Sequence, residues 1–284
     1  MTVSNTIVSI IIVNYNTVDL TRDCINSIFA LTKDIAFEVI LVDNSSTDGS
    51  KEFFQNDSRI KYIYSDENLG FGGGNNLGAQ VASGKYLLFL NPDTVLLNNA
   101  VKMLAKFMDA NPNASACGGN LYDVDGKPTL SFRRYLPGIR WELNLISAGI
   151  FDKLLFGVNS IFNHTNNHLE VGYITGADLM VPRNLFLGCN GFSKDFFMYY
   201  EETDLCFRIS QCDRKIFSVP NARIMHLEGK SFSSELAQKR RNIVENGYQT
   251  YRRKNYNSIQ KIVGGFIHQL YLISKNVYYS LYRR

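Results

Sequence analysis

The stretch Val8-Ser9-Ile10-Ile11-Ile12-Val13-Asn14-Tyr15-Asn16 decides the fold class. Its β-branched run suits a strand that is buried on both faces of a sheet, and the run stops at polar residues. Apolar residues then recur at helical spacing over 20–31, and a second apolar run, Phe37–Val42, ends at Asp43 and Asn44. This strand–helix–strand unit predicts the beginning of a parallel α/β sheet.

The same alternation continues along the chain. The patterns over Ser50–Gln55 and Asn75–Ala82 favour helices, and those over Ile60–Tyr64 and Tyr86–Leu90 favour strands. Beyond about residue 115 the alternation loosens, although residues 140–162 again have a helical pattern. We therefore expect a doubly wound, mainly parallel, Rossmann-like α/β sheet, whose ligands bind outside the carboxyl ends of the strands.

The composition excludes several classes of protein. With 45% hydrophobic and 20% charged residues among 284, the chain is neither disordered nor fibrous. Its five cysteines are scattered and never form a Cys-x-x-Cys pair, which argues against a disulfide framework or a zinc site. No apolar run reaches the roughly 18 residues of a membrane span, and no secretory signal is visible, so the expected location is the cytoplasm.

Charge divides the chain into a body, residues 1–235, and a basic amphipathic helical tail, residues 236–284. The tail carries ten basic side chains and one acidic one, a net charge of +9, whereas the body carries −5. Apolar residues between Ile259 and Leu281 fall on one helical face of the tail, which favours binding to an anionic membrane surface. The same face also suits packing on the body or on a second copy in a homodimer. Nucleic acid is not an expected partner, because the positive charge is confined to the tail and no recognised motif occurs.

Polar side chains stand where three predicted strands end. They are Asn14 and Asn16 after the first strand, Asp43 and Asn44 after the second, and Asn91 and Asp93 after Tyr86–Leu90. Carboxylates and amides at one sheet edge can bind a base and a ribose, and one carboxylate can hold a divalent cation on a diphosphate. For any one of these segments taken alone, strand ending and helix capping are the preferred explanation, but three together favour a nucleotide site.

The segment Asn68–Gly78 is rich in glycine and leads into a predicted helix. Glycine permits close approach of the backbone and a helix N-terminus attracts phosphate, so a nucleotide contact is expected here, with Gly70 and Asn76 as candidates. The segment has neither the Gly-Lys-Ser/Thr of a P-loop nor the position of a dinucleotide fingerprint after the first strand. A kinase and a dehydrogenase are therefore disfavoured.

Three carboxylates, Glu201, Glu202 and Asp204, follow an aromatic block at the start of another predicted helix. Acidic residues in a first helical turn often do no more than complement the helix dipole. A carboxylate beside apolar side chains can also act as a general base that takes a proton from a hydroxyl. The sequence leaves both interpretations open.

Taken in order, these motifs resemble the family 2 glycosyltransferases of the GT-A fold over most of residues 7–230. The resemblance implies that Asp43 contacts the nucleotide base. It also implies that Asn91-Pro92-Asp93 stands for the Asp-x-Asp metal motif, with Asp93 on Mg²⁺ or Mn²⁺. Asn91 departs from the acidic form, but the last carboxylate is the usual ligand. By the same resemblance, His226 is placed on the metal or the diphosphate.

The Glu-Asp catalytic motif of that family is similar to Glu201-Glu202, which implies that Glu202 is the general base, with Glu201 and Asp204 as alternatives. The domain expected from the resemblance has a nucleotide-binding half to about residue 115 and an acceptor half over about 116–235.

Within the family, the segments around Asn91-Pro92-Asp93, Arg133-Arg134 and Glu201-Glu202 are similar to bacterial rhamnosyltransferases of surface polysaccharide assembly. This implies an inverting transfer of L-rhamnose from dTDP-L-rhamnose to a lipid-linked saccharide, at the inner face of the plasma membrane. Arg133 and Arg134 are expected to bind diphosphate oxygens of the nucleotide sugar or an anionic acceptor. The alternatives are a UDP-hexose donor or a non-catalytic carbohydrate- or nucleic-acid-binding module.

Overall fold

The computed structural model describes residues 7–211, 214–227 and 234–282. The strands are β1 Val8–Asn14, β2 Phe37–Asp43, β3 Lys61–Tyr64, β4 Tyr86–Leu90, β5 Thr94–Leu96, β6 Ala114–Tyr122, β7 Phe132–Arg133, β8 Leu169–Val171, β9 Tyr173–Ile174, β10 Asp178–Pro182 and β11 Lys215–His226. The helices are α1 Val18–Leu31, α2 Ser50–Phe54, α3 Gly70–Val81, α4 Ala100–Ala110, α5 Ile139–Ile146, α6 Ile150–Phe156, α7 Arg183–Gly188, α8 Glu201–Ser210, α9 Ser234–Asn255 and α10 Gly265–Tyr282. A 3₁₀ turn, Gly157–Ser160, follows α6, and a π turn, Gln260–Gly264, precedes α10.

Most of the described strands form one twisted sheet in the order β3-β2-β1-β4-β10-β6-β11-β5, and β8 also pairs with β11. The pairs β3-β2, β2-β1 and β1-β4 are parallel, as is β6-β11, while β10 runs antiparallel to both of its neighbours. A separate two-stranded sheet pairs β7 with β9. The prediction of a doubly wound, mainly parallel α/β sheet is confirmed.

Helices cover both faces of β1, and this explains why its sequence is apolar on both sides. Ile10 and Ile12 belong to a core that includes side chains of α1 and α4, whereas Ile11 and Val13 belong to a second core with α3 and α8. Every residue of β1 is buried. The short β-branched run therefore anchors two hydrophobic cores at once.

The glycine-rich segment is helical earlier than its sequence predicts, because α3 already begins at Gly70. The glycines allow this helix to lie very close to β1. A Cβ on Gly74 would stand 2.8 Å from Val13 Cγ1, and one on Gly78 would stand 2.6 Å from Ile11 Cγ2. Glycine disfavours a helix in isolation, but here tertiary packing overrides that preference.

The segment 140–162, expected to be helical, forms α5, α6 and the 3₁₀ turn. A break separates α5 from α6 at Ala148 and Gly149, whose φ values are 52° and 86°. Trp141 on α5 is buried in the second core, so this segment packs on the body.

The tail also packs on the body. Tyr248 and Tyr251 of α9 are buried, as are Tyr256 and His268 further along, and α10 lies against α5. This is one of the alternatives that the sequence left open. Among the described residues, no helix is both long and apolar enough to cross a membrane. The side chains of Val277 and Leu281, which the sequence assigns to the apolar face, lie outside the described part.

A fully buried carboxylate, Glu142 of α5, joins the tail to the body. It accepts a hydrogen bond from Tyr248 Oη at 2.5 Å, lies 3.1 Å from His268 Nδ1, and forms an ion pair with Arg252 at 3.4 Å. Burial alone would lower the pKa of His268, but hydrogen bonds to Glu142 and Glu245 outweigh it and raise that pKa to about 9. The charged form of His268 therefore stabilises the docked tail.

We expect His268→Gln to loosen α10 by about 2 kcal/mol, which is about a thirtyfold faster amide hydrogen exchange in that helix. Because the pKa of folded His268 lies above its ordinary value of 6.5, the stabilisation is complete below about pH 6.5 and is lost as the pH rises through about 9. The ratio of exchange rates in variant and wild type should therefore shrink towards pH 10. The exposed His164 supplies the control, His164→Gln, which should leave α10 unchanged. An unchanged ratio across this pH range would contradict the assignment.

Candidate active site

The fold brings the polar ends of β1 and β2 together at one edge of the sheet. Asn14 and Asp43 are direct neighbours in the β1–β2 register, and the backbone N–H of Asn44 donates to the Asn14 carbonyl at 2.8 Å. The end of β4 lies on the other side of β1. The strand ends that the sequence singled out therefore line one edge, as expected for parallel strands.

Asp43 is completely buried and held from two sides. Its Oδ1 accepts the backbone N–H of Ser46 at 2.9 Å, and its Oδ2 accepts the hydroxyl of Tyr62 at 2.7 Å. Burial and the bond to Asp43 raise the pKa of Tyr62, so its hydroxyl remains a donor. The sequence did not reveal Tyr62, because a tyrosine in a short strand gives no signal of this pairing.

Asn14 and Asn16 differ in availability. The Asn14 side chain is buried, accepting from the hydroxyls of Thr17 at 2.8 Å and Thr21 at 2.9 Å and donating to Ser46 at 3.0 Å. Asn16 is exposed, with a left-handed φ of 55°, and its Oδ1 accepts the backbone N–H of Thr47 at 2.7 Å. Asn14 thus holds the segments that follow β1 and β2 in position, and Asn16 lies at the exposed surface of these segments.

Asn44 ties the end of β2 to the start of α3. Its Nδ2 donates to Asn68 Oδ1 at 2.9 Å and to the Gly70 carbonyl at 3.1 Å, and its Oδ1 accepts the backbone N–H of Leu69 at 2.9 Å. All the hydrogen-bonding groups of this amide are therefore used within the protein. The side chain sets where the glycine-rich helix begins.

Gly70 in turn holds the segment that leads into α8. Its φ is +72°, and a Cβ here would stand 2.0 Å from the carbonyl oxygen of Phe197, which accepts the backbone N–H of Phe71 at 3.0 Å. Two successive non-glycine residues, Tyr199 and Tyr200, then have left-handed φ values of 68° and 72°. Strain of this kind is concentrated at functional segments, and here it immediately precedes the carboxylates of α8.

Asn76 clamps a neighbouring turn. Its Nδ2 donates to the Phe192 carbonyl and its Oδ1 accepts the Phe192 backbone N–H, both at 2.9 Å. The structure therefore uses this amide to hold the chain before α8 and does not direct it at the strand ends.

Asp93 and His226, more than a hundred residues apart in sequence, are brought into contact. His226 lies opposite Thr94 in the β11–β5 pairing, and its Nε2 is 3.2 Å from Asp93 Oδ1. Asn91 Nδ2 lies 3.3 Å from the same ring nitrogen, and Asn91 Oδ1 is buried with no hydrogen-bond partner.

These three side chains have the chemistry to hold a divalent cation. A carboxylate, an imidazole and an orphaned buried amide oxygen are suitable ligands for Mn²⁺ or Mg²⁺. Within the described residues, no group of three or more His, Cys, Asp and Glu side chains comes together as a metal site. A cation at Asp93 and His226 would therefore take its remaining ligands from Asn91, water or the substrate.

Two of the three carboxylates of α8 are buried, but Asp204 has hydrogen-bond partners within the protein, whereas Glu201 Oε2 has none among the described residues. Asp204 accepts from Arg208 Nε at 2.7 Å and from Asn255 Nδ2 of the tail at 2.9 Å. Glu201 is buried against Gly72 of α3, and desolvation raises its pKa well above the usual value. Neither side chain is free to meet a substrate.

Glu202 is the partly exposed carboxylate of this set. It lies beside Gly176, and it is close enough to Tyr173 to affect the pKa of that phenol. Burial raises the pKa of Glu202, while hydrogen bonds from backbone amides of the first turn and from the Thr203 hydroxyl offset part of the rise. A reachable carboxylate with a raised pKa suits a general base.

Arg133 and Arg134 pack against α5 and α6. Arg133 lies opposite Tyr173 in the β7–β9 pairing, and its guanidinium stacks over Trp141 at 5.2 Å. Arg134 stacks over Phe156 at 4.6 Å, and burial lowers its pKa. Both arginines have a buried Nε without a hydrogen-bond partner. No hydrogen bond or ion pair of the described residues joins them to the strand ends that hold Asn14, Asp43 or Asp93.

The sequence matches the profile of Glycosyl transferase family 2 over residues 9–171, more than half of the chain. The chain belongs to glycosyltransferase family 2. The resemblance that its motifs suggested is confirmed.

Two relatives are named as rhamnosyltransferases. The Rhamnosyltransferase WbbL of Escherichia coli strain K12 is 27% identical over 241 residues, which cover 80% of this chain and 87% of the relative. The N-acetylglucosaminyl-diphospho-decaprenol L-rhamnosyltransferase of Mycobacterium tuberculosis strain H37Rv is 25% identical over 219 residues, which cover 71% of this chain and 70% of the relative.

Among solved structures, this glycosyltransferase is similar to GalNAc-T7, crystallised with UDP, GalNAc and Mn²⁺. The TM-score is 0.63 at 15% identity, and the match covers 93% of this chain and 55% of that one. The likeness confirms the GT-A fold.

One further acid of this family 2 glycosyltransferase, Asp178 of β10, was not among the residues expected from the sequence. It is completely buried beside the end of β4, its Oδ2 accepts the backbone N–H of Gly119, and its Oδ1 has no partner. Burial raises its pKa well above the usual value. A single aspartate in an otherwise apolar strand, Ala177-Asp178-Leu179-Met180-Val181, was the signal that could have found it.

The close contact at Gly70 predicts a large effect of a small substitution. Gly70→Ala should destabilise the protein by about 3 kcal/mol, because a left-handed alanine is strained and its Cβ would overlap the Phe197 carbonyl. Gly126 has a similar φ of +74°, and a Cβ at that position would have no atom within 4 Å, so Gly126→Ala isolates the backbone strain, about 1 kcal/mol. Urea unfolding of both variants measures the difference. Equal losses of unfolding free energy in the two variants would show that overlap with the Phe197 carbonyl contributes nothing.

Proposed function

We propose that the protein is an inverting glycosyltransferase that moves L-rhamnose from dTDP-L-rhamnose to a hydroxyl of a lipid-linked saccharide in surface polysaccharide synthesis. The observation that carries the proposal is the position of Glu202, the one partly exposed carboxylate among the three described at the start of α8. It borders Gly176 together with the Phe71 ring of α3, and it is close enough to Tyr173 to affect the pKa of that phenol. The names of the two relatives support rhamnose as the sugar.

On the donor side, the buried carboxylate of Asp43 holds the Ser46 amide and the Tyr62 hydroxyl in the loops assigned to the base, and Asn16 lies at the open surface of the same loops. Asn14, Asn44, Gly70 and Asn76 hold the backbone that surrounds the nucleotide. Asp93 and His226, with the Asn91 amide oxygen, would hold Mg²⁺ or Mn²⁺. When bound, the cation neutralises charge on the departing diphosphate.

On the acceptor side, Glu202 accepts the proton of the attacking hydroxyl. The acceptor oxygen forms a bond to the anomeric carbon from the face opposite the diphosphate, and the bond from that carbon to the phosphate oxygen breaks with its electron pair. One direct displacement therefore inverts the anomeric configuration. Arg133 and Arg134, which face α5 and α6, are assigned to an anionic group of the acceptor rather than to the nucleotide.

The tail supplies the membrane contact in this proposal. Ile262, Phe266, Leu270 and Ile273 recur at helical spacing and are exposed, and Lys261 stands among them. Such a helix suits the interface of an anionic leaflet, and a lipid-linked acceptor would be met there. We propose peripheral attachment at the inner face of the plasma membrane.

A screen of nucleotide sugars tests the donor and the metal together. We expect dTDP-L-rhamnose to raise the unfolding temperature when Mn²⁺ or Mg²⁺ is present and to lose most of that effect in EDTA. Asp93→Asn and His226→Ala should lose the metal-dependent part and retain the response to nucleotide alone. If UDP-hexoses stabilise the protein instead, the donor is a UDP-hexose and not dTDP-L-rhamnose. If no nucleotide sugar changes the unfolding temperature, a non-catalytic binding module is favoured.

Substitution of the proposed base tests the mechanism. We expect Glu202→Gln to lower kcat by about 10²-fold to 10⁴-fold and to leave dTDP-L-rhamnose binding unchanged, because the amide cannot accept the proton. Wild-type kcat/KM should fall as the pH drops through the raised pKa of Glu202, above its ordinary value of 4.5. Transfer measured with radiolabelled donor gives both results.

Glu201→Gln is the matched control, because it changes the neighbouring buried acid without removing the proposed base. It should retain far more activity than Glu202→Gln. Full transfer activity in Glu202→Gln would contradict the proposal and direct attention to Glu201.

A further inference from the structure

In helices α5 and α6 the usual distribution of side chains on a surface helix is reversed, because acidic groups are buried and apolar groups are exposed. Their acids Glu142 and Asp152 are buried, whereas Leu154 is 81% exposed and Val158, in the following 3₁₀ turn, is 69% exposed. Asp152 accepts hydrogen bonds from Asn144 Nδ2 at 2.8 Å and from the Tyr135 hydroxyl. Polar groups therefore point inward and aliphatic groups face outward, which is unfavourable in water.

The neighbouring helix α10 also buries a polar side chain and exposes apolar ones. Its His268 is buried against Glu142, whereas Phe266 is 67% exposed, and Ile262 of the preceding π turn is 74% exposed. Because α10 packs directly on α5, these two parts adjoin. Of the 22 large hydrophobic side chains exposed among the described residues, 12 lie in 139–160 and 259–273, so the exposure is concentrated here and not spread over the surface.

The ionised side chains of the same two stretches have one sign at the surface. Arg140, Lys153 and Lys261 are exposed and Lys275 is partly exposed, whereas the acids of these stretches are buried. These apolar groups are bordered mainly by cations, and Glu245 of α9, which is partly exposed beside α10, is paired with His268. Such a surface is complementary to the interface of an anionic bilayer, where aliphatic groups enter the acyl boundary and cations meet phosphates. A surface that faces water would instead expose the acids and bury the leucines.

We infer that the body itself binds the membrane, through a platform formed by α5, α6 and the 3₁₀ turn together with the exposed face of α10. The lipid contact is thus shared by the acceptor half and the tail. This inference rests on the membrane attachment in the proposed function but not on the identity of the sugar.

The platform lies next to the proposed base. Tyr173 connects the two, because it is close enough to Thr203 and Glu202 for both to affect its pKa, while Arg133 faces it across the β7–β9 pair. Arg133 also stacks on Trp141 of α5 and lies 3.9 Å from Asp152 of α6. A phospholipid-like acceptor whose chain lies in the bilayer would therefore bring its anionic head to Arg133 and its sugar towards Glu202.

Vesicle binding by the full chain tests the platform. The body variant Leu154→Glu/Val158→Glu and the tail variant Ile262→Glu/Phe266→Glu should each lower the partition onto phosphatidylcholine–phosphatidylglycerol vesicles by about tenfold or more. The control Phe53→Glu/Val124→Glu changes exposed apolar groups elsewhere and should stay within about twofold of wild type. Binding to phosphatidylcholine alone should be weaker for every form.

A second readout does not depend on added charge. Tryptophan emission of Leu154→Trp should shift to the blue when anionic vesicles are added, and that of Phe53→Trp should not. If the body variant binds vesicles as wild type does, or the Leu154→Trp emission does not move, the inference is overturned. It is also overturned if the wild type is a dimer that the body variant converts to a monomer, because the face is then a subunit interface.

The donor screen separates this inference from the proposed function. The body variant should still be stabilised by the nucleotide sugar that stabilises wild type. A wild-type protein that binds vesicles through the platform but responds to no nucleotide sugar would retain the inference and contradict the glycosyl transfer proposed here.

Discussion

The hydrogen bonds of the Asn44 side chain join the end of β2 to the first residues of α3, and the rest of the site is built on that junction. Gly70 stands at the junction and lies directly against the Phe197 carbonyl, so the segment before α8 is held against the nucleotide half by backbone contact. Backbone contacts of this kind define positions more tightly than long side chains do. The distance between the strand ends and the start of α8, which carries Glu202, is thereby fixed in the fold.

The candidate residues at the strand ends and those at the start of α8 are held in place by different interactions. At the strand ends, Asp43 is held by Ser46 and Tyr62, and Asp93 lies beside His226. At the start of α8, burial raises the pKa of Glu202, and backbone amides and the Thr203 hydroxyl offset part of that rise. In the proposed function, the first group would bind a charged nucleotide and the second would deprotonate an uncharged hydroxyl, and these tasks have different electrostatic requirements.

The sequence predicted the first four strands and the polar strand ends because periodicity and strand termination are local signals. It did not predict that α3 begins at Gly70, since the reason is contact with Val13 and Ile11 across the sheet. The hydrogen bonds between Asn76 and Phe192, 116 residues away, cannot be predicted from the local sequence pattern around either residue. The contact between Asp93 and His226 came only from resemblance, because a lone histidine carries no information about which strand lies beside it. The family itself was recognisable because the order of several weak motifs is far more specific than any one of them.

The bond between Asp204 and Asn255 has a consequence for how the protein is made. The two residues are 51 positions apart, and Tyr251, which is wholly buried, enters the same cluster as Phe196 and Tyr200. During synthesis, α8 therefore emerges before the residues of α9 that bond to it and cover it. Strands β1 to β4 can pair early, because they lie close together in the sequence, but the helix that carries Glu202 cannot complete its packing until α9 has been released. A nascent chain stalled before Tyr251 would thus leave α8 incompletely covered.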